Sequence, residues 1–202
     1  TNTLAFQAAA ALVDSDFGKI RNIQSIALSD LADSVVLGTN AQAAGFTNFS
    51  GGAGNDTLDA SGVTTGVTFV GGAGADSMVG GTATDSLVGG AGDDTYVVNN
   101  STDVVVEAAG EGTDWVVTRV SYDLSNNVEN LSLSGGSASN VTLTGNALGN
   151  LIDGSAAGIN TIVGGAGNDT LIVEGNRIGS LVGGANTDRV YVTGNGQISL
   201  LS

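Results

Sequence analysis

Six short windows of the sequence place an aspartate at a fixed distance behind paired glycines. They are GGAGNDTLD from Gly51, GGAGADSMV from Gly71, GGTATDSLV from Gly80, GGAGDDTYV from Gly89, GGAGNDTLI from Gly164 and GGANTDRVY from Gly183. The shared pattern is G-G-x-G-x-D-x-U-x, with U a large apolar residue, and the copies at 71, 80 and 89 run back to back. Tandem recurrence of so many fixed positions marks an internal repeat, even in a Gly-rich chain. The glycines let the backbone turn sharply with positive φ and leave carbonyl groups aimed at one spot. A carboxylate added to those carbonyls makes a set of hard oxygen donors. Calcium takes about six to eight such oxygens and tolerates irregular geometry, whereas magnesium demands a tight octahedron and keeps its waters. The expected metal set is Gly51, Gly52, Gly54 and Asp56; Gly71, Gly72, Gly74 and Asp76; Gly80 and Asp85; Gly89, Gly90, Gly92 and Asp94; Gly164, Gly165, Gly167 and Asp169; and Gly183 with Asp188.

The elements that position these groups follow from the same repeat. Its last three residues suit a very short strand, in which alternation sends the apolar residue inward and its neighbours outward. The inward set is Leu58, Met78, Leu87, Tyr96, Leu171 and Val190; Thr57, Ser77, Ser86, Thr95 and Thr170 face solvent. One nonapeptide is then half a coil, a turn plus a strand. Coils stack about 4.8 Å apart through parallel hydrogen bonding. The expected fold class is all-β, one or two right-handed parallel β-rolls (β-solenoids) with Gly-rich turns along the edges. If residues 60–70 form one degenerate half-coil, the turns at 51, 71 and 89 share an edge, and Asp56, Asp76 and Asp94 line it and bound two ions. The turn at 80 faces the opposite edge, where Asp85 has weak neighbours. It also departs from the pattern at Ala83, which replaces a glycine; Asn186 does the same at 183, but Asn tolerates left-handed backbone better than Ala. In the second half the turns at 145, 164 and 183 align, with Asp169 and Asp188 as the best site and Asn150 as a neutral neighbour.

Weaker copies, GGSASNVTL from Gly135, GNALGNLID from Gly145 and GSAAGINTIV from Gly154, place Asn140, Asn150 and Asn160 at or beside the aspartate position. These are expected to form turns or an amide ladder without metal. A longer duplication relates NIQSIALSDLADSVVLGTNA from Asn22 to NVENLSLSGGSASNVTLTGNA from Asn127. The expected organisation is residues 1–50 as a flanking segment with degenerate rungs, 51–97 as a first roll, 98–134 as spacer strands and 135–202 as a second, partly degenerate roll. The Ala-rich stretch Leu4 to Val13 is expected to form a short helix or cap. Asp59, Asp93, Asp103, Glu107 and Glu111 are expected at solvated surface, and Trp115 and Tyr122 in local packing.

Composition narrows the function. The 202 residues hold 20 Asp plus Glu against 5 Lys plus Arg, a net charge of −15, so phosphate backbones and anionic membrane surfaces are poor partners and cations are natural ones. Lys19, Arg21, Arg119, Arg177 and Arg189 do not cluster in sequence. The chain has no Cys, which removes disulfides and thiolate metal sites. It has no His either, so a Ser-His-Asp triad, a Cys-His pair and a His-based zinc site are all missing, and no catalytic residues are assigned. Hydrophobic residues make up 41%, mostly small aliphatics suited to a narrow core, and no apolar run approaches a membrane span. The start, TNTLAFQAAAALVD, lacks the basic region of a secretory leader; together with the absence of an initial Met, this reads as a piece of a longer chain.

The G-G-x-G-x-D repeats resemble the RTX, or haemolysin-type calcium-binding, family of secreted bacterial proteins, as does the style of VVVEAAGEGTDWV followed by NVENLSLSG. The resemblance implies bound calcium ions, type I secretion of an unfolded chain, an extracellular or cell-surface location, and folding driven by calcium outside the cell. Three roles fit that expectation: a self-assembling structural block of a surface layer, filament or adhesin; an auxiliary folding and secretion module of a hydrolase or toxin; or a glycan-binding module.

Overall fold

The computed structural model describes residues 2–135, 140–156, 158, 160–175 and 178–194. The chain divides into two compact units, Thr1–Asp114 and Trp115–Ser202. The first contains β1 (Thr3–Ala5), β2 (Ala11–Leu12), β3 (Ser25–Ala27), β4 (Ser34–Val36), β5 (Asn48–Ala53), β6 (Thr57–Asp59), β7 (Thr68–Ala73), β8 (Ser77–Val79), β9 (Ser86–Ala91), β10 (Thr95–Val98) and β11 (Val104–Val106). Odd-numbered strands form one sheet in the order β1-β3-β5-β7-β9-β11, and even-numbered strands lie in another in the order β2-β4-β6-β8-β10. Neighbouring strands pair in parallel. The chain therefore winds from one sheet to the other and back, one coil at a time. This is a parallel β-solenoid.

Side-chain alternation builds the core between the sheets. In one sheet Leu4, Ile26, Phe49, Phe69, Leu87 and Val105 stack rung on rung; in the other Leu12, Val35, Leu58, Met78 and Tyr96 do the same. Phe69, Leu87, Val35, Leu58, Met78 and Tyr96 are fully buried. Toward the N-terminal end the column becomes aromatic: Phe17, Phe46, Phe49 and Phe69 follow one another, with edge-on contacts of 5.1 Å at both ends of the run. Phe17 comes from a 3-10 helix, Asp14–Lys19. Phe46 follows the short helix α1 (Thr39–Ala44), where the Asp14 carboxylate accepts the Ala41 N–H at 2.9 Å.

The second unit repeats the plan with β12 (Trp115–Thr118), β13 (Tyr122–Asp123), β14 (Asn130–Leu133), β15 (Thr142–Thr144), β16 (Leu151–Asp153), β17 (Asn160–Gly165), β18 (Thr170–Glu174), β19 (Ile178–Gly184) and β20 (Arg189–Thr193). Its strands order as β12-β14-β16-β18-β20 and β13-β15-β17-β19. Val116, Leu131, Ile152, Leu171 and Val190 form one core ladder, and Tyr122, Leu143, Ile162 and Leu181 the other. The long duplication is visible in the backbone: Asn22 and Asn127, its equivalent starting residues, are both left-handed, with φ of 59° and 65°.

Several expectations are corrected. The Ala-rich start is not helical: Thr3–Ala5 and Ala11–Leu12 pair with β3 and β4, so rung pairing overrides alanine's helix propensity. Residues 1–50 contribute rungs of the first unit, interrupted by the 3-10 helix and α1, and β11, β12, β13 and β14, within 98–134, lie in the sheets. The unit boundary falls at Asp114/Trp115. Val190 is on the inward-facing ladder yet 44% exposed; among the described residues β20 is the last strand of its sheet.

Candidate metal centre

The repeat turns at 51, 71 and 89 deliver their aspartates to one file, which Asp33 and Asp114 extend. The Asp33 N–H donates to Asp56 Oδ1 at 2.8 Å, Asp56 N–H to Asp76 Oδ1 at 2.7 Å, Asp76 N–H to Asp94 Oδ1 at 2.7 Å, and Asp94 N–H to Asp114 Oδ1 at 2.8 Å. The successive spacings are 23, 20, 18 and 20 residues, the 18 falling where two nonapeptides run back to back. A parallel file runs in the second unit, from Asn150 N–H to Asp169 Oδ1 at 2.8 Å and from Asp169 N–H to Asp188 Oδ1 at 3.0 Å. One oxygen of each carboxylate thus stitches adjacent coils together. The position before the aspartate adds a second stitch: Asn55 Oδ1 accepts the Ala75 N–H, Asp93 Oδ1 that of Thr113, and Asn168 Oδ1 that of Thr187.

The other oxygen is free for a cation. Oδ2 of Asp56, Asp76, Asp94 and Asp169 is buried and accepts no hydrogen bond. Each lies against the first glycine of its own turn. A Cβ on Gly51 would collide with Asp56 Oδ2 and with the Gly71 carbonyl oxygen; on Gly71, with Asp76 Oδ2 and the Gly89 carbonyl oxygen; on Gly164, with Asp169 Oδ2 and the Gly183 carbonyl oxygen. Glycine at this position leaves a cradle in which a carboxylate oxygen meets a carbonyl oxygen from the next coil. The second glycines Gly52, Gly72, Gly90 and Gly165 have φ between 97° and 117°, and the fourth-position Gly54, Gly74, Gly92 and Gly167 between 101° and 134°. That left-handed backbone lets successive turns superpose.

The electrostatics match the geometry. Burial, followed by the charges of Asp76 and Asp33, pushes Asp56 up to about 6. Burial, with Asp76, Asp114 and Asp93 adding to it, pushes Asp94 up to about 7. Asp76 and Asp169 are raised too, again chiefly by burial. A carboxylate held among carboxylates away from water is stabilised as an anion by a cation. The donor set is all oxygen, which is the calcium preference.

Not every aspartate turn presents this arrangement. The turn at 80 is absent from the positive-φ glycines, so Ala83 meets no strain there. Its Asp85 Oδ2 accepts the Gly81 N–H at 2.6 Å, and Oδ1 accepts the Val67 N–H at 2.9 Å. Both oxygens serve the backbone. Asp33 is likewise saturated, by Ala10 N–H on one oxygen and by the Ser29 N–H and hydroxyl on the other. In the second unit Asn150 ends the file with an amide. Its Nδ2 donates to the Val128 and Glu129 carbonyls of the preceding coil at 3.0 and 3.1 Å, and its Oδ1 accepts the Asn146 N–H at 2.8 Å. Asn140 has a left-handed backbone with φ of 67°, and Asn160 Oδ1 receives the Val141 N–H, one residue beyond it. Asp103 and Glu107, expected at the surface, are buried, at 4% and 8% exposure. Asp85 N–H donates to Asp103 Oδ1 at 2.9 Å. Asp33, Asp103 and Asp114, missed as file members, each precede x-U in Asp33-Ser34-Val35, Asp103-Val104-Val105 and Asp114-Trp115-Val116. That half of the repeat was readable without its glycines. Arg177 lies outside the described residues.

Stacked Gly-rich turns with inward carboxylates, carried on a parallel two-sheet coil, define a calcium-binding β-roll. The model of the RTX calcium-binding nonapeptide repeat matches the sequence in four copies, over residues 44–62, 68–105 and 154–176, and the protein carries the repeats of that family. No curated protein matches the chain in sequence. Among the described residues no helix is long and apolar enough to cross a membrane.

Proposed function

We propose that this chain is a calcium-folded structural segment of a secreted bacterial protein, acting outside the cell or on its surface without catalysis of its own. One observation carries the reading: the buried Oδ2 atoms of Asp56, Asp76, Asp94 and Asp169 have no hydrogen-bond partner and face the next coil. Such a file repels itself until a divalent cation enters, so binding free energy becomes folding free energy. Low calcium inside a cell keeps the chain unfolded for export; calcium outside closes the coils. The ion positions are assigned to Asp56, Asp76, Asp94, Asp169 and Asp188 with the glycines of their turns, and Asp85 to backbone support. The role assigned is structural and self-associating: the coils are joined rung to rung by parallel strand pairing, a contact that repeats from coil to coil and lets solenoid segments stack. Electron microscopy of the full chain tests this role. Ordered assemblies are expected in millimolar calcium and none in chelator; single particles under both conditions, with calcium bound in the first, would rule out self-assembly.

A further inference from the structure

The turn that closes the aspartate file of the first unit is not built like the others. Val106 pairs with Val88, so Glu107 occupies the rung position of Gly89, the first glycine of the preceding turn. The sequence from there, EAAGEGTD, lacks the paired glycines and is two residues longer than GGAGDD. A side chain at this position would normally fill the cradle. Here it supplies a ligand group instead. A Cβ on Gly89 would collide with Glu107 Oε1, Asp94 Oδ2 and the Tyr96 hydroxyl together. Asp94, Glu107 and Asp114 are all buried, and each offers a carboxylate oxygen within 4.8 Å of the other two. Asp94 is 1% exposed, and its Oδ2, which reaches into this cluster, accepts no hydrogen bond. Tyr96, fully buried at the inward position of its strand, donates its hydroxyl to Glu107 Oε1.

We infer that Asp94, Glu107 and Asp114 form a three-carboxylate cation site, distinct in composition from the repeat sites, that binds calcium more tightly than they do and also accepts a trivalent lanthanide, with the Tyr96 hydroxyl at its wall. The repeat cradles at Gly51 and Gly71 bring one carboxylate oxygen against a carbonyl oxygen of the next coil. Replacing the neutral contribution of a first glycine by Glu107 raises the negative charge of the site, and ligand charge sets calcium affinity over orders of magnitude. The site sits on the last turn of the file in this unit. Occupied first, it holds β10 and β11 in place and gives the preceding turns a formed coil to stack on. This inference rests on the calcium reading above.

Terbium luminescence on the full chain tests it, in a Trp115→Phe background so that tyrosine is the sensitiser. Tyrosine-excited terbium emission, displaced by calcium, is expected from the parent chain. Tyr96→Phe should abolish most of that emission. Glu107→Gln keeps the acceptor for the Tyr96 hydroxyl but removes the charge, and should raise the terbium concentration needed by about tenfold or more, in line with the dependence of affinity on ligand charge. Asp76→Asn should leave the tightest phase in place. Should Glu107→Gln fail to fold in calcium by circular dichroism, Glu107→Asp, which keeps the charge, and Tyr96→Phe decide the matter. Emission insensitive to Tyr96→Phe, or terbium affinity unchanged in Glu107→Gln while calcium still binds, overturns the three-carboxylate site alone. A parent chain that binds neither ion overturns the calcium reading with it.

Discussion

Asp76→Asn should stabilise the protein in chelator and destabilise it in calcium. Asp76 Oδ1 accepts the Asp56 N–H at 2.7 Å, and an asparagine keeps that acceptor. Its Oδ2 is buried without a hydrogen-bond partner beside the Gly89 carbonyl, and there the amide N–H becomes a donor in place of a repelled charge. Without metal the variant therefore loses a burden; with metal it loses a ligand on a central turn of the file. Asp76→Ala behaves differently, since the buried Asp56 N–H is orphaned at a cost of about 1–3 kcal/mol whether or not calcium is present. Asp85→Asn supplies the contrast: its Oδ2 accepts the Gly81 N–H, so an amide there sets donor against donor and is destabilising in both conditions. Thermal unfolding of the three variants in calcium, and the residual β signal of each in chelator, check these signs. Equal shifts for Asp76→Asn in both conditions would contradict the ligand role.

The pH dependence of the metal-free protein should run opposite to that of the calcium form. Burial, then carboxylate neighbours, raises Asp94 from 3.8 to about 7, and burial raises Glu107 from 4.5 to about 7 and Asp56 from 3.8 to about 6. A carboxyl whose folded value lies above its unfolded one stabilises the fold fully below the unfolded value and loses that contribution as pH rises through the folded one. In chelator, then, stability is highest near pH 4 and declines to about pH 7, where these groups are forced to ionise inside the protein. Bound calcium reverses the relation by holding the same groups ionised, so that stability is present above their unfolded values and is lost on acidification as protons displace the ion. The folded fraction read by far-UV circular dichroism at about pH 5 and about pH 8, with and without calcium, should cross. Parallel curves would mean that these carboxylates are not where the cation sits.

The parts of this fold that were legible in the sequence are those fixed by local chemistry. Paired glycines followed by aspartate determine turn geometry almost unaided, so the shared edge of Asp56, Asp76 and Asp94, and that of Asp169 and Asp188, followed from counting half-coils. Rungs held by pairing alone were harder to see. Thr3–Ala5 and Ala11–Leu12 carry no turn signature and are strands because the next coil supplies their partners. Glu107 was misplaced because an isolated glutamate usually marks solvent; its burial is a consequence of register, which sets it opposite Gly89. Asp85 is held differently from the aspartates of the file. It has the motif's aspartate, yet a turn without left-handed glycines folds its second oxygen back onto Gly81. A motif identifies a candidate ligand, but the hydrogen bonds it makes decide whether an oxygen remains for metal.

The central claim is that calcium and the β-roll form together, and far-UV circular dichroism of chelator-treated protein during a calcium titration, with magnesium as control, tests it most directly. A cooperative change from coil to β signal that calcium produces and magnesium does not is the predicted result. A full β signal before any calcium is added would contradict it, placing the stability of the coils in their apolar ladders and backbone stitching alone.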